Sequence, residues 1–226
     1  MTQDTIHILG AGSLGRMFAN RLAVAGFNPC LLLRPEKFNQ SNTLLTLNVE
    51  NLHTETTGIP RLESSMVQSE PVDGSLTGVI KRLLVVTKGK DVCEGLANLL
   101  PRCDSNTIVM VLCNGGLAVR EEISQHPALN HLYVSPGSTI HGAFRQAEET
   151  SETLEQAQHH NVVHAGWGNV IVGHPVSGES AKQDDYETND EVTQRFTSMY
   201  QQLHEARYIP LYKFLLSTFL PNNLFM

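Results

Sequence analysis

An α/β fold with a doubly wound, mostly parallel sheet is predicted by three features of this 226-residue sequence. Short apolar runs alternate with helix-periodic segments as far as His141. A glycine-rich turn separates the first apolar run from the first helical segment. Polar residues stand just past the C-terminal ends of the later runs. Alternation of this kind is the signature of an open parallel sheet.

Residues 5–9 read as a short buried strand, followed at once by Gly10-Ala11-Gly12-Ser13-Leu14-Gly15. Leu14, Met17, Phe18, Leu22 and Ala25 are apolar at helical spacing, and Gly26 closes that helix. Residues 30–33 make a second apolar strand ending on Arg34-Pro35. Strand, turn, helix and strand form a right-handed βαβ unit. Residues 44–49 and 52–57 alternate more weakly and suggest a hairpin.

Residues 82–87 form another buried strand, 92–100 a helix stopped by Pro101, and 107–113 a fourth strand. Asn114-Gly115-Gly116 follows as a loop, and 132–134 is a further short strand. After His141-Gly142-Ala143 the chain turns polar. Residues 161–173 read as a hairpin turning at Gly166-Trp167-Gly168. A last helix over 191–206 carries Val192, Phe196, Met199, Tyr200 and Leu203 on one face. The sequence holds no internal repeat.

Hydrophobic residues make up 41% and charged residues 17%, too apolar for a disordered chain. The longest purely apolar run has six residues, 108–113, so no membrane span is expected. An apolar strand starts at Ile6 with no basic leader before it, which predicts a cytoplasmic protein. The net charge of −7 is concentrated: residues 146–191 hold ten acids and one lysine. The remainder has 13 acids and 15 bases, with no basic stripe for nucleic acid. Cys30, Cys93, Cys103 and Cys113 form no CxxC pair and suit a reducing compartment. His159, His160 and His164 are the densest histidine group, without partners at ligand spacing, so no metal is expected.

The GxGxxG turn follows a strand and opens a helix, the context that gives this short motif meaning. Gly10 allows the tight turn, Gly12 lets the backbone approach a pyrophosphate, and Gly15 lets helix and strand pack closely. The free N–H groups of the helix N-terminus favour phosphate there. Arg34 closes the second strand where an acid would hold the ribose of NAD; an arginine suits the 2′-phosphate of NADP. Its plain alternative is a solvated arginine at a strand end. Lys88 and Asn114 fall at the carboxyl edge of the sheet, where such folds bind ligands, or are ordinary loop residues. The motif makes the predicted fold Rossmann-type. Residues 1–174 are expected to be the dinucleotide-binding domain, 175–190 an acidic linker, and 191–226 the truncated beginning of a helical C-terminal domain.

The chain resembles the ketopantoate reductase (2-dehydropantoate 2-reductase) family in five segments. These are Ile8-Leu9-Gly10-Ala11-Gly12-Ser13-Leu14-Gly15, Leu31-Leu32-Leu33-Arg34, Val85-Val86-Thr87-Lys88, Cys113-Asn114-Gly115-Gly116 and Ser138-Thr139-Ile140-His141-Gly142-Ala143. The resemblance implies NADPH-dependent reduction of 2-dehydropantoate to pantoate, towards pantothenate and coenzyme A. It implies that Gly10, Ala11, Gly12, Ser13, Leu14, Gly15, Arg34, Lys88, Asn114 and Gly142 bind NADP(H), with Asn114 also near the 2-oxo acid substrate. The family more often has Leu or Met where this chain has Gly116. In the family a lysine of a helical second domain donates the proton. Here only Lys213 lies near the expected place, without the Asn-containing segment that follows it, and Lys88 is the other weak candidate. Slow or absent turnover is therefore expected. An NADP-binding module without catalysis, and a reductase of another small 2-oxo acid, are the alternatives. The apolar face of the 191–206 helix and the 214–220 tail are expected to be exposed, with aggregation or a homodimer as a secondary expectation.

Overall fold

The structure is a computed structural model that describes residues 5–38, 43–52, 61–73, 76, 78–146, 159–166, 168–173, 175–177 and 190–206. Four strands, β1 (Ile6–Leu9), β2 (Pro29–Leu33), β5 (Arg82–Val85) and β6 (Ile108–Leu112), are buried at every residue. Strands covered on both faces read as continuous apolar runs, which is why the sequence reveals them. Between β2 and β5 lie the short helix α2 (Pro35–Phe38) and the strands β3 (Leu44–Asn51) and β4 (Arg61–Pro71). The other helices are α1 (Ser13–Val24), α3 (Val92–Leu99), α4 (Gly116–Gln125) and α5 (Asp190–Glu205). The remaining strands are β7 (Tyr133–Thr139), β8 (Gly142–Arg145), β9 (His159–Gly166), β10 (Val170–Val172) and β11 (Val176–Ser177).

The parallel part of the sheet runs β4-β2-β1-β5-β6-β7. Without the inserted β3, this is the 3-2-1-4-5-6 order of the Rossmann fold, and it reverses direction between β1 and β5. Alternate residues face opposite sides. Ile6, Ile8, Leu31 and Met110 join α1 and α5 in one core. Leu9, Leu32, Leu83, Val85 and Val111 join α3 and α4 in the other.

Beyond β4 the sheet continues as β3-β9-β8, and beyond β7 as β10. β7 and β8 are consecutive in the chain, as are β9 and β10, and each member of one pair is antiparallel to a member of the other. A single bent ribbon, with a bulge at Gly142/Ala143, therefore joins the two ends of the sheet. The closed curve places α1 against β1, β2, β3, β4, β8 and β9. Gly15 to Asn20 are all buried, as in a helix enclosed on every side.

Three expectations are corrected. First, the antiparallel partner of β3 is Arg61–Pro71, not 52–57; residues 53–60 lie outside the described residues. The inward positions of β4 include Glu63, Ser65 and Ser69, so it lacks apolar alternation. The polarity answers α1: Asn20 Nδ2 donates to Ser65 Oγ (3.0 Å) and the Glu63 carbonyl (3.2 Å), and Arg21 pairs with Glu63 at 3.2 Å.

Second, 161–173 is not a hairpin. β9 pairs with β3 and β8 at one end of the sheet, and β10 with β7 at the other. Between them the backbone crosses the Ile140–His141 connection so closely that a Cβ on Gly168 would collide with it. Trp167 lies outside the described residues.

Third, the apolar face of α5 is not exposed. Val192, Phe196, Met199, Tyr200 and Leu203 are all buried in the core that includes Ile108 and Met110 of β6. Full burial of such side chains is worth about 1.5–3 kcal/mol each, so the sheet itself covers this face. Arg82 reinforces the contact, donating to Gln202 Oε1 (2.9 Å) and Ser198 Oγ (3.2 Å). A dimer driven by an open α5 face thus loses its basis. The 214–220 tail lies outside the described residues.

Candidate functional site

The site lies where the sheet order reverses, at the carboxyl ends of β1 and β5. Gly10 has φ +111°, and a Cβ there would sit 2.9 Å from the Thr87 nitrogen and the Val86 carbonyl carbon. The turn is pressed against the neighbouring strand by the Val86 N–H donating to the Leu9 carbonyl at 2.9 Å. A Cβ on Gly15 would collide with the Gly10 carbonyl oxygen. Gly12 is the opposite case: nothing lies within 4 Å of its Cβ position. Two glycines are thus needed by the protein's own packing, and the one between them leaves open space.

Gly12 is the N-cap of α1, and its carbonyl accepts the Arg16 N–H at 3.1 Å. The N–H groups of Ser13, Leu14 and Gly15 precede the first intrahelical bond and remain available to a ligand. The first turn of α1 carries no acidic residue. Ala11 and Leu14 pack against the core and fix the turn from below.

Strand register aligns the other candidates. Leu9 pairs with Val85, and Val85 with Val111. Gly12, Lys88 and Asn114 each stand three residues beyond that row, on adjacent strands. Lys88 and Asn114 are both exposed. Gly115 next to Asn114 is left-handed (φ +80°) and caps α4. A Cβ on Gly116 would press on the Gly137 backbone of β7, which accounts for glycine where the family more often has a larger residue.

Arg34 is exposed at the end of β2 and has no side-chain partner among the described residues. Gly142 begins β8 at the ribbon bulge, where a Cβ would meet only an ordinary 3.5 Å contact with Gly166. Lys213 lies outside the described residues.

Three groups escaped the sequence reading. Arg16 Nε and Arg145 Nη2 each donate to the Ala11 carbonyl at 2.9 Å. Arg16 could have been noticed, since it directly follows the motif. Arg145 could not, because its partner is 134 residues away. His141 Nδ1 lies 3.2 Å from His164 Nε2, and His164 Nδ1 3.0 Å from Asn51 Oδ1, pinning the ribbon from within.

The third group lies on the α3/α4 face of the sheet. His7, Cys30 and Glu70 bring ligand-type atoms within 4.8 Å of one another. Arg102, 3% exposed, already holds the carboxylate at 2.8 Å. His7, 3.4 Å away, together with Arg102, lowers the Glu70 carboxyl to about 2, against the opposing effect of burial. Burial pushes the Cys30 thiol up to about 12. The cluster is an internal ion-pair network, and its carboxylate charge is answered from within the protein. The four cysteines are free thiols. Among the described residues no helix is long and apolar enough to cross a membrane.

Strand order, glycine turn and switch point together define a Rossmann-type α/β unit. Residues 6–176 match the family model described as ketopantoate reductase PanE/ApbA, and the chain belongs to that family. A probable 2-dehydropantoate 2-reductase from Schizosaccharomyces pombe is 29% identical over 153 residues, covering 64% of this chain and 42% of its own length. The crystal structure of 2-dehydropantoate 2-reductase from Porphyromonas gingivalis W83 superposes with a TM-score of 0.59 at 17% identity, covering 91% of this chain and 62% of that one. D-mandelate dehydrogenase, solved with NADH and anilino(oxo)acetate, gives 0.55 at 16% identity, covering 91% and 55%. At these identities the two structures establish the shared fold. The chain spans about half the length of these relatives.

Proposed function

We propose that this chain binds NADP(H) at the glycine turn and serves the reduction of 2-dehydropantoate to pantoate, a step towards pantothenate and coenzyme A. The observation that carries the reading is the contrast among three glycines. Gly10 and Gly15 are filled by the protein, whereas Gly12 opens onto space. That is the arrangement a pyrophosphate requires.

In this reading the N–H groups of Ser13, Leu14 and Gly15 hold the diphosphate, with Gly10, Ala11 and Gly12 shaping the turn. Arg34 takes the 2′-phosphate. Lys88 and Asn114, level with Gly12 on the next two strands, serve the nicotinamide ribose and the 2-oxo acid, and Gly142 lies along the cofactor. The bound cofactor supplies the hydride. The protein must stabilise the developing alkoxide and deliver a proton to it. By family resemblance that donor is a second-domain lysine; Lys88 is the candidate among the described residues. The shared fold of D-mandelate dehydrogenase supports a second reading, reduction of a different small 2-oxo acid at the same place.

Fluorescence titration tests the cofactor. NADPH is expected to bind at least about tenfold more tightly than NADH, since a charge-assisted contact is worth roughly 1.5–3 kcal/mol. Arg34→Ala should erase that preference. Equal affinities in the unaltered chain, or a preference that survives the substitution, would remove Arg34 from this role. NADPH oxidation with 2-dehydropantoate, run beside other small 2-oxo acids, decides the substrate. Binding without turnover on any of them would favour a cofactor-binding module.

A further inference from the structure

The Ala11 carbonyl receives two guanidinium donors, Arg16 Nε and Arg145 Nη2, both at 2.9 Å. A neutral carbonyl has lone pairs for both but no charge to offset either. Arg145 is exposed, and among the described residues it has no carboxylate within ion-pair distance. An arginine needing only solvation would not be tethered across 134 residues to one backbone oxygen. The tether comes from the ribbon that closes the sheet, which brings β8 alongside α1.

Ala11 directly precedes Gly12, whose Cβ position is open. Arg145 therefore sits beside the space that the turn leaves free. One of its five N–H donors is used on Ala11. The rest form a planar fork suited to phosphate oxygens.

We infer that Arg145 is a ligand for the diphosphate of the bound dinucleotide, held in position by the Ala11 carbonyl. This rests on the dinucleotide reading of the glycine turn. It assigns Arg145 a different phosphate from Arg34: the diphosphate belongs at the turn, and the 2′-phosphate at the end of β2.

The test titrates NADPH, NADH and 2′-AMP into the unaltered chain, Arg145→Gln and Arg145→Lys, with thermal melts on the same samples. Arg145→Gln should weaken both dinucleotides by about tenfold or more. The NADPH-to-NADH ratio should stay the same, as should the affinity for 2′-AMP, which has no diphosphate. Salt should weaken dinucleotide binding less steeply than in the unaltered chain, and Arg145→Lys should recover part of the loss. Unchanged dinucleotide affinity would overturn the assignment. So would a loss confined to NADPH, an equal loss for 2′-AMP, or a variant that fails to fold. If the unaltered chain binds neither dinucleotide, the cofactor reading itself fails; if binding survives Arg145→Gln, only the role of Arg145 does.

Discussion

Replacing Gly12 with valine is expected to abolish dinucleotide binding and leave the fold intact, while the same change at Gly15 strongly destabilises the protein. The two positions are three residues apart in one motif, yet their surroundings are opposite. A Cβ on Gly12 meets nothing within 4 Å, so the valine projects into the space assigned to the diphosphate. A Cβ on Gly15 drives into the Gly10 carbonyl oxygen. Gly10 cannot retreat, because its own Cβ position lies 2.9 Å from the Val86–Thr87 backbone that follows β5. Overpacking against backbone on both sides should cost about 3 kcal/mol or more. Circular dichroism melts and NADPH titration on the same samples separate the cases. Binding retained by Gly12→Val would place the phosphates elsewhere, and a Gly15→Val melt that does not shift would show that the turn can relax.

The sequence exposed what the chain repeats locally and hid what it assembles at a distance. β1, β2, β5 and β6 were legible because burial on both faces makes each a continuous apolar run. The glycine turn was legible because its three constraints fall within six residues. β4 was not, since its inward Glu63 and Ser65 exist to answer Asn20 and Arg21 of a helix more than 40 residues earlier. The apolar stripe of α5 was legible, but not what covers it: a strand apolar on both faces does not say which helix packs where. β9 and β10 looked like a hairpin because Gly166 and Gly168 resemble a turn, whereas Gly168 serves a backbone crossing. Arg34, Lys88 and Asn114 are candidates by position at strand ends alone. Arg145 reaches the glycine turn only because the ribbon closes the sheet.

Replacing Glu70 with glutamine is expected to destabilise the fold at neutral pH, and the deficit should shrink in acid. Glu70 faces two basic groups on the α3/α4 face of the sheet: Arg102 at 2.8 Å and His7 at 3.4 Å. Arg102 is 3% exposed, so glutamine leaves its guanidinium buried without a counter-charge. Breaking a buried pair in this way costs about 3–5 kcal/mol; the 27% exposure of Glu70 points to the lower end. The carboxyl is held at about 2 in the folded protein, below its ordinary 4.5. The charged form therefore contributes stability that is fully present above pH 4.5. It is lost as the pH falls from there through about 2, where the folded-state carboxyl takes up its proton. The shift corresponds to no more than about 3 kcal/mol, reduced by solvent screening at the exposed edge. Urea melts of both proteins at neutral pH and in steps towards pH 2 isolate this group, because every other acid titrates in both. Arg102→Met combined with Glu70→Gln should recover much of the loss, since it removes the stranded cation. A stability difference that stays constant across the acid range would show that the carboxylate's charge is not what Arg102 requires.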